Sequence, residues 1–245
     1  MLKQTSLAEL LAEFMGSMFL VMAAVSSMIM FTTVFEVHKG IAIFANAIAV
    51  AFVLCALIET FGSISGAHFN PVVTMVMLFE KKIGATAAAL FVLFQFIGGI
   101  AGTILSRFMF LNDVGTVLAI SDNVRNEYVF IGEVIGTFIL VLAILLLVKA
   151  GSNKISIMVG LLVGGQLMST SSTMFANPQV TVARMFTNTA SGIRPIDGLI
   201  FIAMQIIGAL LAYAIYKLVF AKTPTERRET NVLRKRMCVS KNNLP

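Results

Sequence analysis

The chain has 245 residues, is 58% hydrophobic and only 12% charged, and has a mean hydropathy of +0.93. A soluble domain of this length carries about twice that charge, so a soluble globular protein is excluded and almost nothing remains for an aqueous domain. The net charge of +6 needs no nucleic-acid partner once the chain is placed in a membrane.

Apolar runs lie at 8–35, 41–60, 84–111, 128–148, 155–172 and 196–220. Each is near or above the roughly 20 residues that a spanning helix needs. The runs are rich in helix formers and show no strict alternation, which predicts six transmembrane helices and not a β-barrel. The fifth is the shortest and richest in Gly and Ser, so its boundary is the least defined. The first carries Glu9 and Glu13 and is longer than a signal-peptide core, so it reads as a retained span. Cys55 falls inside the second span and Cys238 in the tail, a placement that predicts no disulfide. With two histidines and no His/Glu cluster at metal spacing, no metal, cofactor or catalytic constellation is expected, and an enzyme is not.

Six spans put both termini on one side. That side receives Lys3, Lys81, Lys82, Lys149, Lys154, Lys222 and the basic tail; the other receives Lys39, Arg125, Arg194 and, by position, Arg107 and Arg184. The positive-inside rule therefore places both termini in the cytoplasm. The tail from about 221 to 245 reads as an orientation signal and a contact for anionic lipid, with a regulatory partner as the alternative.

The chain repeats itself. Glu13-Phe-Met-Gly16 matches Glu133-Val-Ile-Gly136, and Gln95-Phe-Ile-Gly98 matches Gln205-Ile-Ile-Gly208. Between them, Asn70-Pro71-Val72-Val73-Thr74 and Asn177-Pro178-Gln179-Val180-Thr181 share the pattern Asn-Pro-x-Val-Thr. Each half, about 7–111 and 128–220, holds three spans; an odd number gives the halves opposite topology, an inverted 3+3 repeat within one domain of residues 1–220. The segments 70–80 and 177–187 are about 16 Å of helix, half the hydrocarbon thickness. Asn is a favoured N-cap and Pro a favoured first helical residue. Each motif therefore starts a re-entrant half-helix at mid-membrane, reached by an extended inbound segment. Backbone at that depth is tolerated when it is buried in protein or lines water, and a pore meets the condition.

These motifs, with Ser65-Gly66-Ala67-His68-Phe69 before the first of them, resemble the aquaporin/aquaglyceroporin (major intrinsic protein) family over about residues 7–220. The resemblance implies an all-α membrane protein of six spans and two half-helices, one pore per subunit, a homotetramer in the plasma membrane, and small neutral solutes and water as its partners. It implies that Asn70 and Asn177 present amides to the pore beside two helix N-termini, each carrying roughly half a positive charge. Glu13 and Glu133 match residues that hold the inbound loops; a proton relay is the alternative for such carboxylates. His68 matches a residue lining the inner half of the pore, where it could equally be a hydrogen-bonding strut. Glu59 matches no motif and falls beside the inner vestibule.

The departures from the family pattern carry the functional reading. The third motif position, usually Ala, is Val72 in one half and Gln179 in the other. The outer constriction normally takes Arg three residues after the second Asn; here that position is Val180. The same spacing carried without gaps puts Val50, Gly165 and Met174 at its other positions, and a shift of two would exchange Val50 for Phe52. Loss of the Arg removes five donors and a fixed charge, so the filter is expected to be wide and apolar. Arg184 lies four residues beyond Val180, about 6 Å outward on nearly the same helix face. It either restores positive charge at the outer vestibule or snorkels to the membrane surface. The expected function is passive passage of glycerol and other polyols, urea, and neutral metalloid acids such as arsenous, antimonous, boric or silicic acid, together with water. The alternatives are a coupled secondary transporter and a poorly conducting junctional protein.

Overall fold

The structure, a computed structural model, describes residues 5–221; Lys3, Lys222 and the basic tail lie outside them. Among the described residues the regular structure is entirely helical: α1 (Leu7–Ile29), α2 (Lys39–Ser65), α3 (Pro71–Phe79), α4 (Ala85–Met109), the single turn α5 (Leu111–Val114), α6 (Glu127–Lys149), α7 (Ile155–Ser169), α8 (Pro178–Met185) and α9 (Pro195–Ile215). Short π-helical turns extend α1 and α9, at Met30–Val34 and Tyr216–Phe220.

The helix ends follow local chemistry. Ser6 and Glu9 close a reciprocal capping box on α1, each side chain bonding the other residue's backbone N–H. α2 stops at Gly66, whose φ of 89° is a left-handed conformation suited to glycine. Among the described residues, five helices are long and apolar enough to cross a membrane: Leu7–Val34, Lys39–Ser65, Ala85–Met109, Glu127–Lys149 and Pro195–Phe220. The sixth, α7, has 15 residues, about 22 Å, and is shorter than the 155–172 run suggested. It ends where Thr170 turns extended, at ψ 146°, and the chain turns back toward the interior.

The inverted repeat is visible in the packing. α1 packs chiefly on α4, α6 on α9, and the halves meet along α2 and α7. Backbone approaches closely at matched glycines: a Cβ at Gly98 would overlap the Phe14 carbonyl of α1, and one at Gly208 the Val134 carbonyl of α6. Here small residues serve helix contact within a membrane. The half-helices α3 and α8, about 13 and 12 Å long, start near the centre of the bundle from opposite sides.

Candidate functional site: the pore

Each half-helix begins with the same cap. Asn70 (φ −155°, ψ 120°) accepts from Val72 N through its side chain, and Asn177 (φ −155°, ψ 109°) accepts from Gln179 N. Pro71 and Pro178 occupy the first helical position, where a missing N–H is no loss. The two caps also clasp each other: Asn70 Nδ2 donates to the Ala176 carbonyl and Asn177 Nδ2 to the Phe69 carbonyl, both at 2.8 Å.

The inbound segments are held open by carboxylates. Glu13 accepts from His68 N (3.0 Å), Phe69 N (2.8 Å), Ser65 Oγ (2.6 Å) and Gln95 Nε2 (2.7 Å). Glu133 accepts from Phe175 N (2.9 Å), Ala176 N (2.8 Å) and Gln205 Nε2 (2.6 Å). Both glutamates are fully buried, and all of their carboxylate oxygens are committed to donors. These bonds support left-handed backbone at Ala67, Phe69, Met174 and Ala176, with φ of 51°, 47°, 28° and 47°. Non-glycine residues adopt that region rarely, and it persists where the surroundings over-determine it. A second layer completes each cradle. Gln95 Nε2 and Gln205 Nε2 donate to Thr74 and Thr181, whose hydroxyls in turn donate to the Asn70 and Asn177 carbonyls. The threonine of the repeated Asn-Pro-x-Val-Thr pattern thus has a function that the sequence showed only as a match.

A cavity of ≈760 Å³ runs through this frame. At the face nearest the termini it is bordered by Glu9, Lys82, Ser152 and Asn153, and by Glu59, which accepts from Ser156 Oγ at 2.6 Å. Further in it passes His68, Asn70 and Asn177, then Val50, Met174 and Val180, and reaches Arg184. His68 lines the cavity, and its ring sits 3.1 Å from Thr74 Oγ1 and edge-on to Phe91. Val72 and Gln179 do not line the cavity; they pack behind it. Gln179 Nε2 donates to the Phe69 carbonyl at 3.2 Å, and its Oε1 occupies space left by the missing side chain of Gly99.

Three of the four expected constriction residues face the cavity, and Gly165 does not. Val159, Val163 and Leu167 are the cavity side of α7, whereas Gly165 shares the exposed stripe of Leu161 and Met168 and meets nothing within 4 Å of a Cβ. Counting back from Asn177 without gaps crosses the irregular 170–176 segment, and that loses the helical phase. On α2, Val50 is 5% exposed and lines the cavity, while Phe52 is 70% exposed on the outer surface.

Arg184 does not snorkel. It is 4% exposed, its Nε donates to the Ser191 carbonyl, and its guanidinium carbon lies 3.6 Å from the centre of the Phe175 ring. Arg125 approaches the same ring at 5.7 Å. Burial is the larger influence on the Arg125 guanidinium and lowers its pKa; the Glu133 and Asp197 carboxylates act against it. Sequence reasoning also passed over Asn46. This lone amide within the apolar second run borders the cavity and donates to Ala24 O and Ser27 Oγ across to α1.

Comparison with known proteins agrees with this architecture. The model of the family described as Major intrinsic protein matches residues 1–175. The chain is 37% identical over 207 residues to Aquaglyceroporin AqpS of Rhizobium meliloti, an alignment covering 84% of this chain and 87% of that protein. It is 28% identical to Nodulin-26 of Glycine max over 221 residues, covering 87% and 78%. Among solved structures, the aquaglyceroporin from Plasmodium falciparum superposes with a TM-score of 0.68 at 18% identity, covering 87% of this chain and 96% of that one, a likeness of fold.

Proposed function

The chain belongs to the major intrinsic protein family, and on that premise we propose that its pore passes neutral solutes bulkier than water. The family fixes the coarser statement: this is a multi-pass membrane channel for small solutes and water, and it is not an enzyme. The finer reading names glycerol and other polyols, urea, and neutral metalloid acids such as arsenous acid, with water passing as well.

One observation carries it. Val50, Met174 and Val180 border the cavity where the family pattern has bulkier and charged groups, so this stretch is apolar and unobstructed by an arginine at position 180. An apolar ring makes few hydrogen bonds to water and leaves cross-section for a carbon skeleton. The central asparagines supply amides for a passing hydroxyl, and the two half-helix N-termini disfavour cations. Because every oxygen of Glu13 and Glu133 is already bonded, these carboxylates read as supports and not as ion-coupling or proton-relay groups.

The same reading places the channel as a homotetramer in the plasma membrane with both termini in the cytoplasm. Lys81, Lys82, Lys149 and Lys154 on the terminal face support that orientation. Stopped-flow measurement on reconstituted vesicles, with water, glycerol, urea and arsenous acid in parallel, tests the whole. Fast water flux with no solute entry would refute the wide-filter reading, and saturable uptake driven by an ion gradient would point to a coupled transporter.

A further inference from the structure

We propose that Arg184, one helical turn beyond the vacated filter position, is the cation barrier and the outer hydrogen-bond donor of this pore. The inference rests on the channel reading above and identifies the residue that sets its charge selectivity. Three observations carry it. Arg184 is nine-tenths buried yet borders the cavity. Its position is fixed from two sides, by the Nε bond to the Ser191 carbonyl and by the face of Phe175 at 3.6 Å. Its two Nη groups have no acceptor among the described residues and pair with no carboxylate there, which leaves their charge and donors to the cavity.

The consequence is a filter whose two functions sit on separate levels. In a single-level filter one arginine both narrows the ring and repels cations. Here Val180 leaves the ring open, and Arg184 places the positive charge about 6 Å further out. A solute with oxygen acceptors meets donors at Arg184 before it enters the apolar stretch. A cation of the same size meets an unpaired guanidinium in a confined space, where charge is screened less than in bulk water. The preferred solutes are therefore neutral molecules bearing carbonyl or hydroxyl oxygens.

Urea and guanidinium have nearly the same size and shape and differ in charge, so their flux ratio in vesicles is the test, with each flux corrected for empty vesicles. Wild type is expected to pass urea and exclude guanidinium at millimolar concentration. Arg184→Gln removes the charge and keeps a donor; it should raise the guanidinium-to-urea ratio by about tenfold or more. An unchanged ratio with urea flux intact overturns the proposal, as does a wild-type channel that admits guanidinium as readily as urea. A purely structural Arg184 would alter both fluxes together and leave the ratio alone. If Arg184→Gln yields no urea flux, Arg184→Lys decides: continued exclusion of guanidinium supports the proposal, and its entry overturns it. A wild type that passes water but no solute refutes the channel's proposed substrates instead, an outcome separable from either result at position 184.

Discussion

The two halves of the pore use one backbone frame and two sets of side chains. The frame is shared to the level of atoms: Glu13 and Glu133 accept from the N–H groups one and two residues before each Asn, and each Asn amide donates to the carbonyl preceding the other Asn. The side chains built on it diverge. The residue before Asn70 is Phe69, whose ring occupies the notch at Gly16; the residue before Asn177 is Ala176. Two residues before Asn70 stands His68, bonded inward to Thr74, while Phe175 in the second half carries Arg184. Backbone geometry at mid-membrane is thus specified by a few buried polar groups, which leaves the cavity surface free to vary. The half nearest the termini adds Glu59 and His68 to its apolar lining, and the other half is apolar apart from Asn46 and Arg184.

The largest expected effect comes from breaking the shared frame. Glu13→Leu removes the acceptor of four hydrogen bonds, and Glu133→Leu that of three. Each buried donor so orphaned costs about 1–3 kcal/mol, and lipid supplies no water in compensation. Both variants should fail to assemble or lose many degrees of thermal stability in detergent, with Glu13→Leu the worse. Glu→Gln at either site should be milder because one carboxylate oxygen's acceptor function is retained. A Glu133→Leu channel with wild-type melting and flux would show that the second inbound segment holds itself.

The next effect acts on what differs between the halves. Val180→Arg places a long cationic side chain in the apolar stretch, about one turn from Arg184. The two guanidinium groups repel, and the new one takes cross-section while adding donors for water. Glycerol and arsenous acid permeability should fall about tenfold more than water permeability, measured as a flux ratio at equal protein density. If the ratio stays constant, position 180 does not bound the path.

A smaller effect probes how each half fills the space behind its motif. Gln179 lies against Gly99, and the matching Val72 belongs to the apolar cluster that contains Ala209. A large side chain faces a missing one at Gln179 and Gly99, whereas Val72 stands among apolar side chains. Gly99→Ala should cost about 1–3 kcal/mol by overpacking, read as a lower melting temperature. Gln179→Val combined with it should recover much of that loss, giving a coupling of about 0.5–3 kcal/mol. Additive single effects would mean that the two sites do not share that space.

What was legible in the sequence follows the same division. The frame was written in repeated words: Glu13 and Glu133, Gln95 and Gln205, and both Asn-Pro motifs recur in matched order, which exposes the repeat, while the bonds from Gln95 and Gln205 to the glutamates appear only in the fold. The second-layer threonines were visible as a match but not as a function, because their partners come from α4 and α9. On the regular helix α2, the counted position Val50 lies on the cavity side. Counting failed across residues 170–176, where left-handed backbone at Thr173, Met174 and Ala176 breaks any fixed rise per residue, and α7 came out turned. The direction of Arg184 was undetermined in the sequence for a different reason. It depends on the Phe175 ring and the Ser191 carbonyl, which only the tertiary fold brings to it.

The smallest expected effect tests that turned helix. Gly165 sits in the interior of α7 on its exposed stripe, beside Leu161 and Met168, and a Cβ there meets open space. Gly165→Ala should therefore leave water, glycerol and urea permeability unchanged. It should also raise the melting temperature slightly, since alanine in place of a helical glycine is worth about 0.5–1 kcal/mol. Gly165→Leu would match the apolar residues around it and should likewise leave the fluxes intact, although a leucine pointing into the pore would occlude it. Leu167→Ala, on the cavity side, should instead raise the flux of glycerol relative to water by widening the path. Glycerol flux that falls in Gly165→Leu and does not respond to Leu167→Ala would mean that α7 presents position 165 to the solute, and that the outer constriction has four walls where the structure gives that helix a different face.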